Sequence, residues 1–127
     1  SNMMNMKAEI ERVVEESGLA SSMKSGSLEV LATPQMVAWM EEAACLCLKL
    51  DEDITSVGTK IDVSHVKASP LGATIRIVAT ITNVENDKKF SFWVQAFQGD
   101  DLIGEGSHER VLVNAEKFVN RTYHFNK

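Results

Sequence analysis

Residues 32–50 read ATPQMVAWMEEAACLCLKL, the stretch around which the rest of the chain is built. Thr33 is placed to cap a helix N-terminus, its hydroxyl accepting a bond from one of the first unpaired N–H groups. Pro34 then stands at the first helical position, where a missing N–H costs nothing. No Gly and no further Pro interrupt residues 35–50, so a helix of about four turns is predicted. At about 100° per residue, Met36, Val37, Met40, Ala43, Ala44, Cys47, Leu48 and Leu50 share one broad arc. Gln35, Ala38, Glu42 and Lys49 gather opposite. An apolar arc that wide suits a helix embraced by a sheet.

The two carboxylates of this helix are not equivalent. Glu42 sits in the middle of the polar face and reads as a solvated surface group. Glu41 falls at the edge of the apolar arc, flanked by Val37, Ala44, Cys45 and Leu48. Loss of solvation there would raise its pKa and suit it to acid–base work. The plainer alternative is a boundary glutamate whose head reaches water.

Downstream, Asp51-Glu52-Asp53 is an acidic turn, and the chain then alternates. Over 57–66, Val57, Thr59, Ile61 and Val63 are expected on one side and Gly58, Lys60, Asp62 and Ser64 on the other, with His65 continuing the apolar side. Ser69-Pro70-Leu71-Gly72 reads as a turn. Over 73–84, Ile75, Ile77, Ala79 and Ile81 alternate with Arg76, Thr80 and Thr82. Residues 85–88 turn the chain into 89–98, where Phe90, Phe92, Val94 and Ala96 face one way and Trp93 and Phe97 the other. Gly99-Asp100-Asp101 turns it again into 102–113. Upstream, 6–17 is read as an opening strand, 18–26 as a loop with a short strand around 19–23, and 28–31 as a brief strand entering the helix. The outcome is an α+β fold, a curved antiparallel sheet wrapped around one long central helix. With no second helix of comparable length, parallel βαβ architecture is excluded.

Length and composition agree with one domain over 1–127, with Ser1-Asn2 read as a tag remnant and 114–127 as a C-terminal extension. The chain is 44% apolar and 24% charged, with a net charge of −5, which disfavours a general nucleic-acid or anionic-membrane binder. No apolar run approaches the roughly 20 residues of a membrane span, and no signal peptide opens the chain. Cys45 and Cys47, about 200° apart on the wheel, cannot easily bridge or share a metal. They are expected as buried, reduced thiols of a cytoplasmic protein.

Three blocks, ATPQMVAWMEEAA, VGTKIDVSHVKASPLG and GEGSHERVLV, together resemble the hotdog-fold thioesterases, most closely the fluoroacetyl-CoA thioesterase-like branch. The resemblance implies a catalytic threonine at the start of the helix before proline, which is Thr33. It implies a glutamate eight residues on, Glu41, and a histidine seven residues after a glycine, matched by His65 and Gly58. The arginine of the HER segment matches Arg110, with Gly58 and Arg110 contacting substrate. Lys60 and Lys67 match nothing in the pattern, and the N-terminal third is too loosely matched for its residues to be carried over. The family likeness further implies an acyl-CoA substrate, no cofactor beyond the CoA of that substrate, no metal, and a homodimer with sites at the subunit interface.

The chemistry of the set stands without the family. Thioester hydrolysis needs a nucleophile or activated water, a base, and donors for the developing oxyanion. A threonine hydroxyl needs a neighbouring base, and neutral imidazole at His65 can take a proton near pH 7. Glu41 either orients His65 or serves as base itself, and Gly58 leaves its backbone open to substrate. Thr33 and Glu41 stand ~12 Å apart along the helix, so one helix cannot gather both around one carbon. Residues and resemblance together point to an acyl-CoA thioesterase acting on a small or medium acyl group. The alternatives are an acyl-CoA hydratase using Asp62 with His65, or a non-catalytic acyl-CoA or small-ligand binding module. His108 reads as structural, His124 as part of a tail, and Arg110 as a phosphate ligand or a carboxylate partner.

Overall fold

Ile75, Ile77, Ala79 and Ile81 are all buried, and so are Phe90, Phe92, Val94 and Ala96 opposite the same helix. Period-two alternation of this kind lays an apolar floor on one face of a sheet. In the computed structural model, which describes residues 3–125, the elements follow in a fixed order. They are β1 (Met3–Met4), β2 (Lys7–Val13), α1 (Ala20–Met23), α2 (Thr33–Leu46), β3 (Leu48–Lys49), β4 (Ile54–His65), β5 (Thr74–Glu85), β6 (Lys89–Gln98), β7 (Asp101–Asn114) and α3 (Ala115–Phe125). Five strands form one antiparallel sheet in the order β2-β5-β6-β7-β4, and β1 pairs with β3. The reading of Ser1-Asn2 as a tag remnant lies outside the described residues.

α2 lays Met36, Met40, Ala43 and Ala44 onto the sheet, each fully buried. This is the α+β arrangement expected, with tight β5–β6 and β6–β7 hairpins. Asn86 and Asp87 hold positive φ of 54° and 52° in the first, and Gly99 has φ 58° in the second. β4 pairs with β7 rather than β5, so residues 66–73 carry the chain from one edge of the sheet toward the other. The Ser69–Gly72 turn belongs to that crossover.

Several local expectations are corrected. Residues 19–23 form a helical turn, not a strand: the Met23 N–H donates to the Leu19 carbonyl, and Lys24 closes the turn with φ 59°. Residues 28–31 make only isolated bridges, Leu31 to Leu19 and Val30 to Pro70. α2 stops at Leu46 rather than Leu50, because Leu48 and Lys49 leave it to pair with β1. A second helix of 11 residues, α3, occupies the stretch read as an extension and tail. Cys45 is exposed, while Cys47 is buried; burial, with the Cys45 thiol nearby, pushes the Cys47 thiol up to about 11.

The face opposite α2 is less apolar than the sequence suggested. Trp93 is 41% exposed, but Phe97 is covered by the Arg76 guanidinium, 4.5 Å from its ring centroid. β4 is an edge strand, and its Ile61 is 41% exposed. Among the described residues, no helix is long and apolar enough to cross a membrane.

Candidate active site

The start of α2 meets the end of β4. Thr33 is the first helical residue rather than the cap, which is Ala32 and makes no side-chain hydrogen bond. The hydroxyl of Thr33 is therefore free of the helix backbone, and its Oγ1 lies 2.7 Å from His65 Nδ1. With Nδ1 unprotonated, the hydroxyl donates and the imidazole accepts. Desolvation lowers the His65 pKa below the ordinary value of about 6.5, and the Lys67 backbone offsets only part of that. His65 Nε2 is buried and has no hydrogen-bond partner among the described residues. A cavity of about 250 Å³ opens at this pair, walled by Ala20, Val30, Leu31, Val66 and Ala68.

Eight residues along α2, Glu41 takes part in a second cluster. Arg110 Nη1 donates to Glu41 Oε2 at 3.1 Å, while Arg110 Nε reaches Ser56 Oγ at 2.8 Å and Nη2 reaches the Ser56 carbonyl at 3.2 Å. The guanidinium is nearly buried, at 8% exposure, against 41% for the Glu41 side chain. Glu41 is thus not stripped of water as its place on the wheel suggested: it is a boundary carboxylate held by a buried cation. Of the two roles expected for Arg110, pairing with a carboxylate is the one this geometry displays. Glu42 projects outward and pairs with Arg12.

His108, read from the sequence as structural, is buried and completes the cluster. Its Nδ1 lies 2.7 Å from the Lys60 carbonyl, so that nitrogen carries the proton and Nε2, 3.2 Å away, accepts from Arg110 Nη1. The ring stacks on Phe92 with centroids 5.8 Å apart, and burial lowers its pKa. The available signal was the spacing: His108 and Arg110, two apart on a strand, share one face. Ser56 gave no such signal.

Gly58 faces the same cluster. A Cβ there would stand 2.8 Å from Glu41 Oε2 and 3.2 Å from Arg110 Nη1. It lines a cavity of about 250 Å³ with Glu41, Lys60, Ile61 and His108. The expected sidedness of β4 is corrected here. A bulge lies between Gly58 and Lys60, with Gly58 opposite Arg110 and Lys60 opposite Glu109. The alternation flips at that point, leaving Val57 on the face away from α2 and bringing Gly58 and His65 onto the helix side. Thr59, expected inward, instead donates its hydroxyl to the Glu109 carbonyl. Asp62 pairs with Ser107 on the opposite face from His65, so no Asp62–His65 dyad forms and the hydratase alternative loses its basis.

The described residues therefore form two separate clusters, Thr33 with His65 and Glu41 with Gly58, Arg110 and His108. They line separate cavities. Among the described residues, no group of three His, Cys, Asp or Glu side chains is placed to hold a metal ion.

Comparison with known proteins bears on these clusters. A family model described as fluoroacetyl-CoA-specific thioesterase matches residues 14–116. A fluoroacetyl-CoA thioesterase of Streptantibioticus cattleyicolor is 40% identical over 92 residues, which cover 71% of this chain and 66% of that enzyme. The match thus spans just under two thirds of the relative's own length. The solved structure of the fluoroacetyl-CoA thioesterase FlK superposes with a TM-score of 0.86 at 30% identity, covering 95% of both chains. A threonine-to-serine variant of FlK, solved in complex with acetyl-CoA, gives 0.88 at 29% identity over 98% of each chain. A thioesterase superfamily member from Thermus thermophilus gives 0.85 at 26% identity, covering 97% of this chain and 92% of that one.

Proposed function

Because the chain belongs to the fluoroacetyl-CoA-specific thioesterase family and has its hotdog fold, we propose that it hydrolyses a small acyl-CoA to the free acid and coenzyme A. The observation that carries this reading is the 2.7 Å approach of Thr33 Oγ1 to His65 Nδ1 at the mouth of a small cavity. An imidazole held neutral by burial is a base ready to take a proton, and the hydroxyl is a donor already aligned with it. The cavity of about 250 Å³ accommodates a short acyl group better than a long one. The FlK variant solved with acetyl-CoA supports the same substrate class.

In this reading the thioester carbonyl lies beside Thr33. The Thr33 oxygen, or a water held in its place, attacks the carbonyl carbon as its proton passes to His65. The tetrahedral intermediate collapses by breaking the carbon–sulfur bond, and the departing thiolate takes the proton from His65. An acyl group left on Thr33 would be removed by water through the same proton transfers. Glu41, oriented by Arg110, supplies the carboxylate of the site, and Gly58 leaves room for substrate against it. The reaction calls for no metal and no cofactor beyond the CoA of the substrate.

The assembly is part of the proposal. Two half-sites on one helix are joined if a second copy brings its Glu41 end to the Thr33 end of the first. The β4 edge, 12 residues long with an exposed Ile61, is the surface for that copy. A cytoplasmic homodimer of single hotdog domains, with sites at the interface, is the resulting reading. Thiol release measured over a panel of acyl-CoAs tests it: turnover falling as the acyl chain lengthens is expected. No release from any member, with acyl-CoA still bound, would make the protein a binding module instead.

A further inference from the structure

The Arg110 guanidinium presents its N–H donors in one rigid plane, and burial makes each of them matter. A donor there that loses its acceptor cannot turn to water instead. Ser56 meets one edge of the plane, its hydroxyl accepting from Nε at 2.8 Å and its carbonyl from Nη2 at 3.2 Å. Nη1 serves the other edge. It donates to Glu41 Oε2 at 3.1 Å and to His108 Nε2 at 3.2 Å. Among these acceptors Glu41 is the one at the boundary, on a side chain with room to move. The place of its carboxylate is therefore set by where Ser56 and His108 leave the guanidinium.

His108 is itself fixed on every side. Its Nδ1–H is committed to the Lys60 carbonyl at 2.7 Å, which leaves only the Nε2 lone pair facing Arg110. The ring is buried and stacks on Phe92 with centroids 5.8 Å apart. Its Cε1 lies 3.3 Å from where a Cβ on Gly58 would stand. Lys60 closes the β4 bulge that turns Gly58 toward α2. One imidazole thus ties the bulge to the guanidinium, and the same ring sets both Gly58 and the carboxylate across the cavity from it. A base it is not. With Nδ1 protonated and Nε2 held by a cation, neither nitrogen is open to a substrate proton.

We propose that His108 and Ser56 are positioning residues of the hydrolysis, fixing Arg110 and through it the Glu41 carboxylate relative to Gly58. Both act through the guanidinium and not on the reacting atoms. The inference rests on the thioesterase reading and adds the residues that hold its carboxylate in place.

Two amide variants divide the contacts of His108. In His108→Asn the amide reaches only as far as Nδ1 did and keeps the Lys60 contact. In His108→Gln it reaches as far as Nε2 did and returns an acceptor to Arg110. His108→Asn should lower kcat for acetyl-CoA at least roughly tenfold, since a small displacement of an active-site group is costly, with KM within about twofold. His108→Gln should recover most of that loss, although melting curves should show both variants destabilised. Glu41→Gln supplies the decisive comparison. Because His108 works through that carboxylate, adding His108→Asn to Glu41→Gln should lower the rate by less than about twofold further. Losses that multiply, or equal rates in the two His108 variants, overturn the proposal. Ser56→Ala removes a hydroxyl from a half-buried strand position and should repeat both the kcat loss and the lack of additivity, which keeps the test open if the His108 variants do not fold.

Nitrogen NMR separates this inference from the hydrolase reading. The wild-type chain should show the Nδ1–H tautomer of His108 and slow exchange of the Arg110 N–H groups, and His108→Asn should speed that exchange. If this holds but no thioester is hydrolysed, the hold on Arg110 stands and the hydrolase reading falls. Fast Arg110 exchange in the wild-type chain overturns the positioning whatever the rate.

Discussion

Gly58 and His65 stand seven residues apart on β4 and face the same side of the sheet. An odd spacing on a regular strand sends two residues to opposite faces. The bulge between Gly58 and Lys60 takes up one residue and restores them to a common side. One strand can therefore touch both ends of α2, placing Gly58 against Glu41 and His65 against Thr33. His108 holds the bulge from behind, through its hydrogen bond to the Lys60 carbonyl.

Gly58→Ala tests how closely that arrangement is built. The new Cβ would lie 2.8 Å from Glu41 Oε2, the far end of a flexible side chain, so the carboxylate moves and the backbone does not. Stability should change by no more than about 1–3 kcal/mol, the usual range for modest overpacking. Turnover should fall at least roughly tenfold, since a small displacement of an active-site group is costly. Melting curves and rates on the one variant check this, and unchanged turnover would remove Gly58 from the site.

Glu41 and Glu42 are neighbours in sequence with different surroundings. Glu41→Gln should cut turnover by roughly 10²–10⁴ if the carboxylate serves proton transfer. Glu42 pairs with Arg12 at an exposed position, so Glu42→Gln should cost less than about 1 kcal/mol and leave the rate within about threefold. Similar rates for the two variants would show that Glu41 has no special part in the chemistry.

The parts of the fold legible from sequence are those where one face meets the core. Ile75, Ile77, Ala79 and Ile81 announce β5 because each must be buried, and the apolar arc announces α2 for the same reason. What lies at the surface left no such mark. α3 buries little, so its residues read as a polar tail, and α1 is one turn set by backbone hydrogen bonds and the left-handed Lys24. The β4 bulge is equally silent, since one added residue changes the faces without changing the composition. Glu41 and Glu42 differ in their partners rather than in exposure, and the buried partner of Glu41, Arg110, lies 69 residues away, a pairing that no local pattern encodes. His108 stands beside Glu109 and Arg110, polar neighbours that give no sign in the sequence that His108 and Arg110 both turn inward.

The pH dependence follows from two histidines, His65 partly buried and His108 buried. Burial lowers the pKa of both His65 and His108 below the ordinary value of about 6.5. A base must be neutral to act, so the rate should rise with pH through an apparent pKa below 6.5 and level off by neutrality. Stability follows the same direction. The unfolded chain binds these protons more readily, so stability is fully present above the unfolded value and is lost as pH falls through the folded one. His65→Gln should abolish the rate profile while keeping part of the stability profile, which His108 still supplies. A rate profile unchanged in His65→Gln would exclude His65 as the base.

Whether one site draws on two subunits can be decided by mixing inactive chains. His65→Ala removes the proposed base from the Thr33 end of α2, and Glu41→Gln disables the other end. If each chain contained a whole site, every chain in a mixture would carry one defect and no activity would return. If the Thr33 end of one copy is completed by the Glu41 end of another, a mixed dimer carries one doubly defective site and one intact site. With random exchange, half the dimers are mixed and half of their sites work, so activity should recover to about a quarter of the wild-type value. Ile61→Glu supplies the control: it puts a charge on the β4 edge, where Ile61 is 41% exposed, and should yield a monomer by light scattering with little thioesterase activity. Recovery in the mixture would establish the shared site; because Ile61 also lines the Glu41 cavity, inactivity of its variant alone would not. A fully active monomer would overturn it and return Glu41 to a role within its own subunit.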